Sequence, residues 1–248
     1  MNHATTRVPN TSYRTSADPD VALGVECAHP AELEARLAGA GATLGGSGAR
    51  TGKGRNGAIG FALAALLLAA GAWQFGQGVY LYGKANLAQA LIARAWERTL
   101  AGEQQAKPWP WADTFPVARM SVRERNVDLY VLSGANGRSI AFGPGHVSGT
   151  PLPGEPGNSA IGGHRDTHLA FLKDLQPGNE IVVQRRDGAR RAYRVNFAQV
   201  LNKKETWVLK NEGPSRLTLI TCWPFNALRA GGPDRYVVSA RMSDAALR

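Results

Sequence analysis

Three residues in the C-terminal half of the sequence have types and settings suited to acyl transfer. Thr218-Leu-Ile-Thr221-Cys222 is an apolar run ending in a cysteine, followed at once by Trp223-Pro224, whose proline lacks the donor that a strand ladder needs. The thiol is therefore expected at a strand end. Thr218, Ile220 and Cys222 would share one face by the two-residue period, with Leu219 and Thr221 on the other. Ser159-Ala-Ile-Gly-Gly163-His164 has the same design, with glycines that leave space near the imidazole. Asp234-Arg235-Tyr-Val-Val-Ser239 opens another run with an arginine, 13 residues after the cysteine, and two antiparallel strands joined by the intervening loop would set Arg235 beside Cys222. A thiolate can attack a carbonyl, an imidazole can protonate the leaving amine, and a guanidinium can stabilise the oxyanion. Each residue alone is weak evidence, since a lone buried cysteine is usually an inert small hydrophobe.

The elements that must position these groups read as strands. Short apolar or alternating runs recur at Val117–Val122, Asp128–Leu132, Ile140–Phe142, Ser159–Gly162, Glu180–Gln184, Ala192–Leu201, Leu217–Thr221 and Tyr236–Met242. Turn signals separate them at Gly134–Gly137, Pro151–Pro156, Pro177-Gly178, Asp187-Gly188 and Gly213-Pro214, and Leu169–Leu175 reads as a short helix. Eight short strands predict an all-β fold, a closed or nearly closed eight-stranded β-barrel with short helices.

Ahead of the strands lies a stretch of different character. No charged residue occurs between Arg55 and Lys84, and Ala58–Tyr82 supplies the roughly 20 apolar residues a bilayer span needs, with Trp73, Tyr80 and Tyr82 toward one end. Arg50, Lys53 and Arg55 at the other end predict a single-pass anchor whose N-terminus stays in the cytoplasm. A cleavable signal peptide ending near Ala70-Gly71-Ala72 and a buried soluble helix are the alternatives; the long preceding segment and the lack of a polar face argue against them. The expected organisation is a mostly disordered cytoplasmic tail at 1–57, a transmembrane anchor at 58–82, a helix and Pro/Trp linker at 83–116, and a catalytic barrel at 117–248. In the linker, Leu87, Leu91, Ala95 or Trp96, and Leu100 suggest the helix face, and Lys107-Pro-Trp109-Pro-Trp111 is expected to pack its aromatics on the domain.

The chain has 248 residues, 29 Lys+Arg, 19 Asp+Glu and 2 Cys. From Lys84 onward there are 23 basic and 14 acidic residues, an excess of 23 − 14 = 9. No nucleic-acid motif accompanies that charge, so nucleic acid is not expected as a partner, and a solvated basic hairpin around Asp187-Gly188 is. Two cysteines exclude a disulfide framework. With the predicted topology, Cys27 and Cys222 fall on opposite sides of the membrane and form no intrachain bridge.

The TLITC run at Thr218–Cys222, the GGH at Gly162–His164 and the DRYVV from Asp234 resemble the active-site motifs of the sortases, membrane-anchored cysteine transpeptidases. Cys222-Trp-Pro-Phe-Asn-Ala, Phe142-Gly-Pro-Gly-His146 and the KPWPWAD linker are most similar to the Gram-negative class of that family. The resemblance covers Val117–Met242. It implies a sortase-type barrel whose groove takes a protein substrate with an LPxTG-like C-terminal sorting signal. It further implies Cys222 as the nucleophile cleaving after the signal's threonine, His164 as general acid and then base, Arg235 as oxyanion stabiliser, and Thr221 as a helper through its hydroxyl or backbone. An amine on a second molecule, of unspecified identity, would resolve the thioester. No cofactor or metal is implied, the anchor would contact membrane lipid, and the catalytic domain would lie in the periplasm on the inner membrane.

The same residues admit other readings. His164-Arg-Asp166-Thr-His168 contains two histidines and a carboxylate that zinc can use, although a further ligand is not evident. The simpler reading of His168 and His146 is a loop histidine with a local hydrogen bond. Another extracytoplasmic cysteine peptidase, an L,D-transpeptidase, or a non-catalytic peptide-binding barrel are the remaining alternatives.

Overall fold

Alternation of apolar residues curls the strands of the computed structural model into a closed barrel. It describes residues 55–227, 229 and 231–243. The expectation for the N-terminal tail therefore falls, up to residue 54, outside the described residues. The strands are β1 (Pro116–Val122), β2 (Val127–Ser133), β3 (Gly145–His146), β4 (Asn158–Gly162), β5 (Glu180–Gln184), β6 (Arg190–Asn202), β7 (Arg216–Cys222) and β8 (Asp234–Met242). Around the barrel they run β1-β2-β3-β4-β7-β8-β6-β5, with β5 returning to β1. The pairs β2–β3 and β4–β7 are parallel and the rest antiparallel. Met120, Ile161, Ile181, Val183, Leu217, Leu219 and Val238 belong to the apolar cluster that fills the interior. Pairing of β5 with β1 closes the barrel, and on its far side β3 covers only the last two residues of β2 and of β4.

Seven of the eight predicted strands are present in nearly the predicted places, and the exception is Ile140–Phe142. There the chain forms a one-turn helix, Gly137–Ile140, because the Asn136 side chain accepts from the Ser139 amide at 3.1 Å and caps it. The missing strand is β3, a two-residue segment too short to show any period. Gly145 is required in it, since a Cβ there would collide with the Gly134 carbonyl. The predicted helix at Leu169–Leu175 is a 3₁₀ helix, Ala170–Asp174. Leu169, Leu172 and Leu175 are all buried, a spacing of three that matches its three residues per turn.

A single helix, α1 (Arg55–Leu100), runs from the apolar stretch to the domain without a break at residue 83. Its 46 residues extend roughly 69 Å at about 1.5 Å per residue. It is long and apolar enough to cross a membrane, and its most apolar window is unburied among the described residues. The C-terminal part packs on the barrel through Ala88, Ile92, Ala95, Trp96 and Thr99, with Trp96 6.4 Å from the Tyr130 ring. Ala95 and Trp96 lie on the predicted face, whereas at its two ends Leu87 is 60% exposed and Leu100 39%, and their neighbours Ala88 and Thr99 are buried instead. Ile92 and Trp96 are the large fully buried side chains of this face, with Ala88 and Ala95 buried alongside them. The linker is tied back by Arg98 Nη2 donating to the Lys107 carbonyl (2.5 Å) and Thr114 Oγ1 donating to that of Ser133 (2.8 Å). Trp109 meets the Phe142 ring edge-on at 5.2 Å, as predicted, whereas Trp111 stands 80% exposed.

Candidate active site

Strand register decides where the three candidate groups meet. In the parallel pair β4–β7, Gly162 lies opposite Ile220. The alignment continues past the end of β4, where the Gly163 amide donates to the Ile220 carbonyl (3.2 Å) and Thr221 Oγ1 donates to the Gly163 carbonyl (2.8 Å). His164 is the next residue, so it leaves the ladder on the flank of β7 that ends in Cys222. On the other flank, the antiparallel pair β7–β8 sets Cys222 directly opposite Arg235, and the Trp223 amide closes the ladder on the Asp234 carbonyl at 3.1 Å. The three residues thus lie at the same end of three neighbouring strands. Cys222 and Arg235 are buried, with 4% and 5% of their surfaces exposed, and His164 is half-buried.

The two faces of β7 do different work. Leu217 and Leu219 point into the barrel with Val238 and Ala240. Ile220 lies on the opposite face, in a second apolar cluster with Ala160, Val237, Leu201 and Val208. By the period of two, Cys222 follows Ile220 onto this outer face. Asn158 organises that face: it accepts from Thr218 Oγ1 (2.8 Å), and its Nδ2 donates to the carbonyls of Val208 (2.6 Å) and Lys210 (3.2 Å). These bonds hold the Thr206–Leu209 turn against the outer side of β4 and β7.

Gly163 has a reason different from the one its sequence suggests. A Cβ there would stand 3.0 Å from Leu169 Cγ, so the missing side chain makes room for the core leucine behind the histidine. The hydroxyl proton of Thr221 is committed to Gly163, which ties the strand of the cysteine to the segment of the histidine. His168 has its imidazole pushed below the ordinary range, chiefly by burial and then by the neighbouring His164.

The loop between β7 and β8 is held from both sides. Arg235 Nη1 donates to the carbonyls of Gly232 (2.8 Å) and Asp234 (3.0 Å). From the His164 side, Arg165, 9% exposed, donates through Nη2 to the carbonyls of Ala227 (2.9 Å) and Arg229 (2.8 Å). Trp223 stacks on Tyr236 at 5.6 Å, and Phe225 meets both rings edge-on, at 5.7 and 5.2 Å, building an aromatic wall beside the cysteine. Arg165 and Asn158 escape sequence reasoning because their acceptors are backbone carbonyls 50 to 64 residues away. The adjacency of Arg165 to His164 was the only available signal.

The expected absence of a bridge between Cys27 and Cys222 falls, for Cys27, outside the described residues. Attack on a carbonyl requires a thiolate, so nucleophilic chemistry at Cys222 belongs to the reduced chain. Among the described residues, no three His, Cys, Asp or Glu side chains gather into a metal site, and His164, Asp166 and His168 do not form one. His146, placed on β3, directs Nε2 at the Pro151 carbonyl (2.9 Å) and Thr150 Oγ1 (3.0 Å), a local structural role.

The Sortase domain family matches residues 120–243, half of the sequence, and the chain belongs to that family. It is 24% identical to Sortase D of Bacillus subtilis (strain 168) over 120 residues, which make up 48% of this chain and 60% of that protein. Among solved structures, it is similar to a Sortase D5 transpeptidase of Clostridium perfringens, with 25% identity, TM-score 0.47, and coverage of 61% of this chain and 88% of that one. It is also similar to sortase C-1 of Actinomyces oris, with 27% identity, TM-score 0.48, and coverage of 64% and 98%.

Proposed function

We propose that this chain is a membrane-anchored transpeptidase that cleaves an LPxTG-like C-terminal sorting signal and passes the acyl group to an amine. The observation carrying this reading is the register that sets Arg235 opposite Cys222, with the Thr221–Gly163 bond tying the segment that bears His164 to the other flank of the same strand. The Cys222 thiolate attacks the carbonyl after the signal's threonine, forming a C–S bond while Arg235 stabilises the oxyanion. Collapse of the tetrahedral intermediate breaks the C–N bond, and the His164 imidazolium donates its proton to the departing amine. The incoming amine then attacks the thioester, His164 takes its proton, and the thiolate leaves. Thr221 acts by fastening the two strands rather than by touching substrate.

The same reading places residues 58–82 across the inner membrane, the tail at 1–57 in the cytoplasm and the barrel at 117–248 in the periplasm, joined by 83–116. The Cys222-Trp-Pro-Phe and Phe142-Gly-Pro-Gly-His146 runs support the Gram-negative class of the family.

Mass spectrometry of the reduced full-length chain in detergent, incubated with an LPxTG peptide, tests the proposal. The expected result is an acyl adduct on Cys222 that an added amine discharges, and none with Cys222→Ala. An adduct that persists in Cys222→Ala removes the cysteine from its role. Peptide binding without any adduct makes the barrel a binding module.

A further inference from the structure

Where α1 leaves the apolar stretch, an open groove of about 630 Å³ lies between the helix, the Pro/Trp linker and the segment after the Gly137–Ile140 turn. Its walls are apolar: Leu87 and Leu91 from the helix, Trp109 and Trp111 from the linker, and Phe142 opposite. Two of these are left bare, Leu87 at 60% and Trp111 at 80% exposure, although the same helix buries Ala88 and Ile92 one residue further on. Lys84 and Arg138 are basic groups on the lining, with Asp113 3.2 Å from the Arg138 guanidinium. A bare apolar groove with a net positive rim calls for an apolar ligand carrying negative charge.

The position along the helix identifies that ligand. At about 1.5 Å per residue, Lys84 and Leu87 fall roughly 3 and 8 Å beyond Tyr82. The headgroup layer of a bilayer is about 5–8 Å thick on each side. The mouth of the groove therefore opens within that layer, where tryptophan rings and lysine side chains partition favourably. We infer that this groove takes a phospholipid of the outer leaflet of the membrane, one acyl chain drawn up out of the bilayer against Leu87, Trp111 and Phe142 and its phosphate near Lys84 and Arg138. The barrel is thereby seated on the bilayer surface and is not swinging on a tether. The inference rests on the membrane-anchor reading, and it is independent of the chemistry proposed for Cys222.

Brominated lipids quench tryptophan on contact, which makes the full-length chain its own probe. The chain is reconstituted into phosphatidylcholine/phosphatidylglycerol vesicles with ordinary acyl chains or chains brominated near the headgroup, and wild type is compared with Trp111→Phe and Trp73→Phe. Trp111 is exposed, so its replacement leaves the fold intact. The emission contributed by Trp111, obtained by difference, should be largely lost in brominated vesicles, and Leu87→Trp in the Trp111→Phe background should restore a quenchable signal. If the Trp73 contribution is quenched and that of Trp111 is not, the anchor stands and the groove holds something else, a peptide or a second copy of the chain, and the inference fails. If neither is quenched, the anchor reading fails and takes the groove's lipid with it.

Discussion

The inside of the barrel and the outer face of β4, β7 and β8 are both buried, but they are held together by different forces. The interior is filled by apolar side chains such as Met120, Ile161, Leu219 and Val238, whose contribution depends on volume and contact. The outer face pairs a smaller apolar cluster with directed hydrogen bonds from Asn158, Thr218 and Arg235, and its covering comes from a turn and a loop. Packing tolerates modest change of shape, whereas hydrogen bonds fix orientation. The rigid interior thus supplies the frame, and the outer face supplies the aim.

If that division holds, substitutions on the two faces should separate chemistry from stability. His164→Ala and Arg235→Ala should each lower kcat/KM by about 10²–10⁴-fold, as expected for loss of a proton donor or an oxyanion partner. The thermal transition of His164→Ala should stay near wild type. Steady-state rates with an LPxTG peptide check this, and undiminished rates remove the residue from the mechanism. On the interior face, Leu219→Ala should cost about 2–5 kcal/mol of stability through the lost contacts and the cavity left behind. Its turnover per folded molecule should be retained below the melting temperature. A denaturant titration set beside the rate measurement would break the comparison if Leu219→Ala lost turnover while keeping its stability.

The sequence makes the frame far more legible than the aim. Strands of five residues or more announce themselves by alternation, whereas β3, with two, has no period to read. Ile140–Phe142 looks like a strand because it is apolar, but one cap at Asn136 turns its start into a helix. On α1, the spacing finds Ala95 and Trp96 but points to Leu87 and Leu100 where Ala88 and Thr99 are buried. The pairing of Cys222 with Arg235 is legible because antiparallel neighbours joined by one loop leave little freedom. The clamp by Arg165 is not, because backbone carbonyls carry no sequence signature.

Arg165 tests the aim more finely than the residues it supports. Arg165→Ala frees two carbonyls of the β7–β8 loop and unlocks it from the segment bearing His164, without removing any of the three groups in the proposed mechanism. The expected cost is about tenfold in kcat/KM, the equivalent of one hydrogen-bonded charge, falling mainly on KM. Arg165→Lys should recover part of it. A purely structural role would instead lower the melting temperature and leave KM unchanged.

The smallest effect should come from His146, away from the cysteine. Burial lowers its pKa from the ordinary 6.5 even though its Nε2–H donates to the Pro151 carbonyl. Below pH 6.5 the unfolded chain therefore binds a proton that the folded chain resists, so stability is level above that pH and declines as pH falls below it, until the folded imidazole also titrates. Half-buried His168 contributes with the same sign. Replacing His146 by Gln, which keeps a donor for Pro151, should flatten the acid side of the curve while leaving stability above neutrality close to wild type. Denaturant titrations on either side of pH 6.5 read this directly. An unchanged acid slope in His146→Gln would assign the decline to other groups and leave the β3–β4 loop without a pH-sensitive hold.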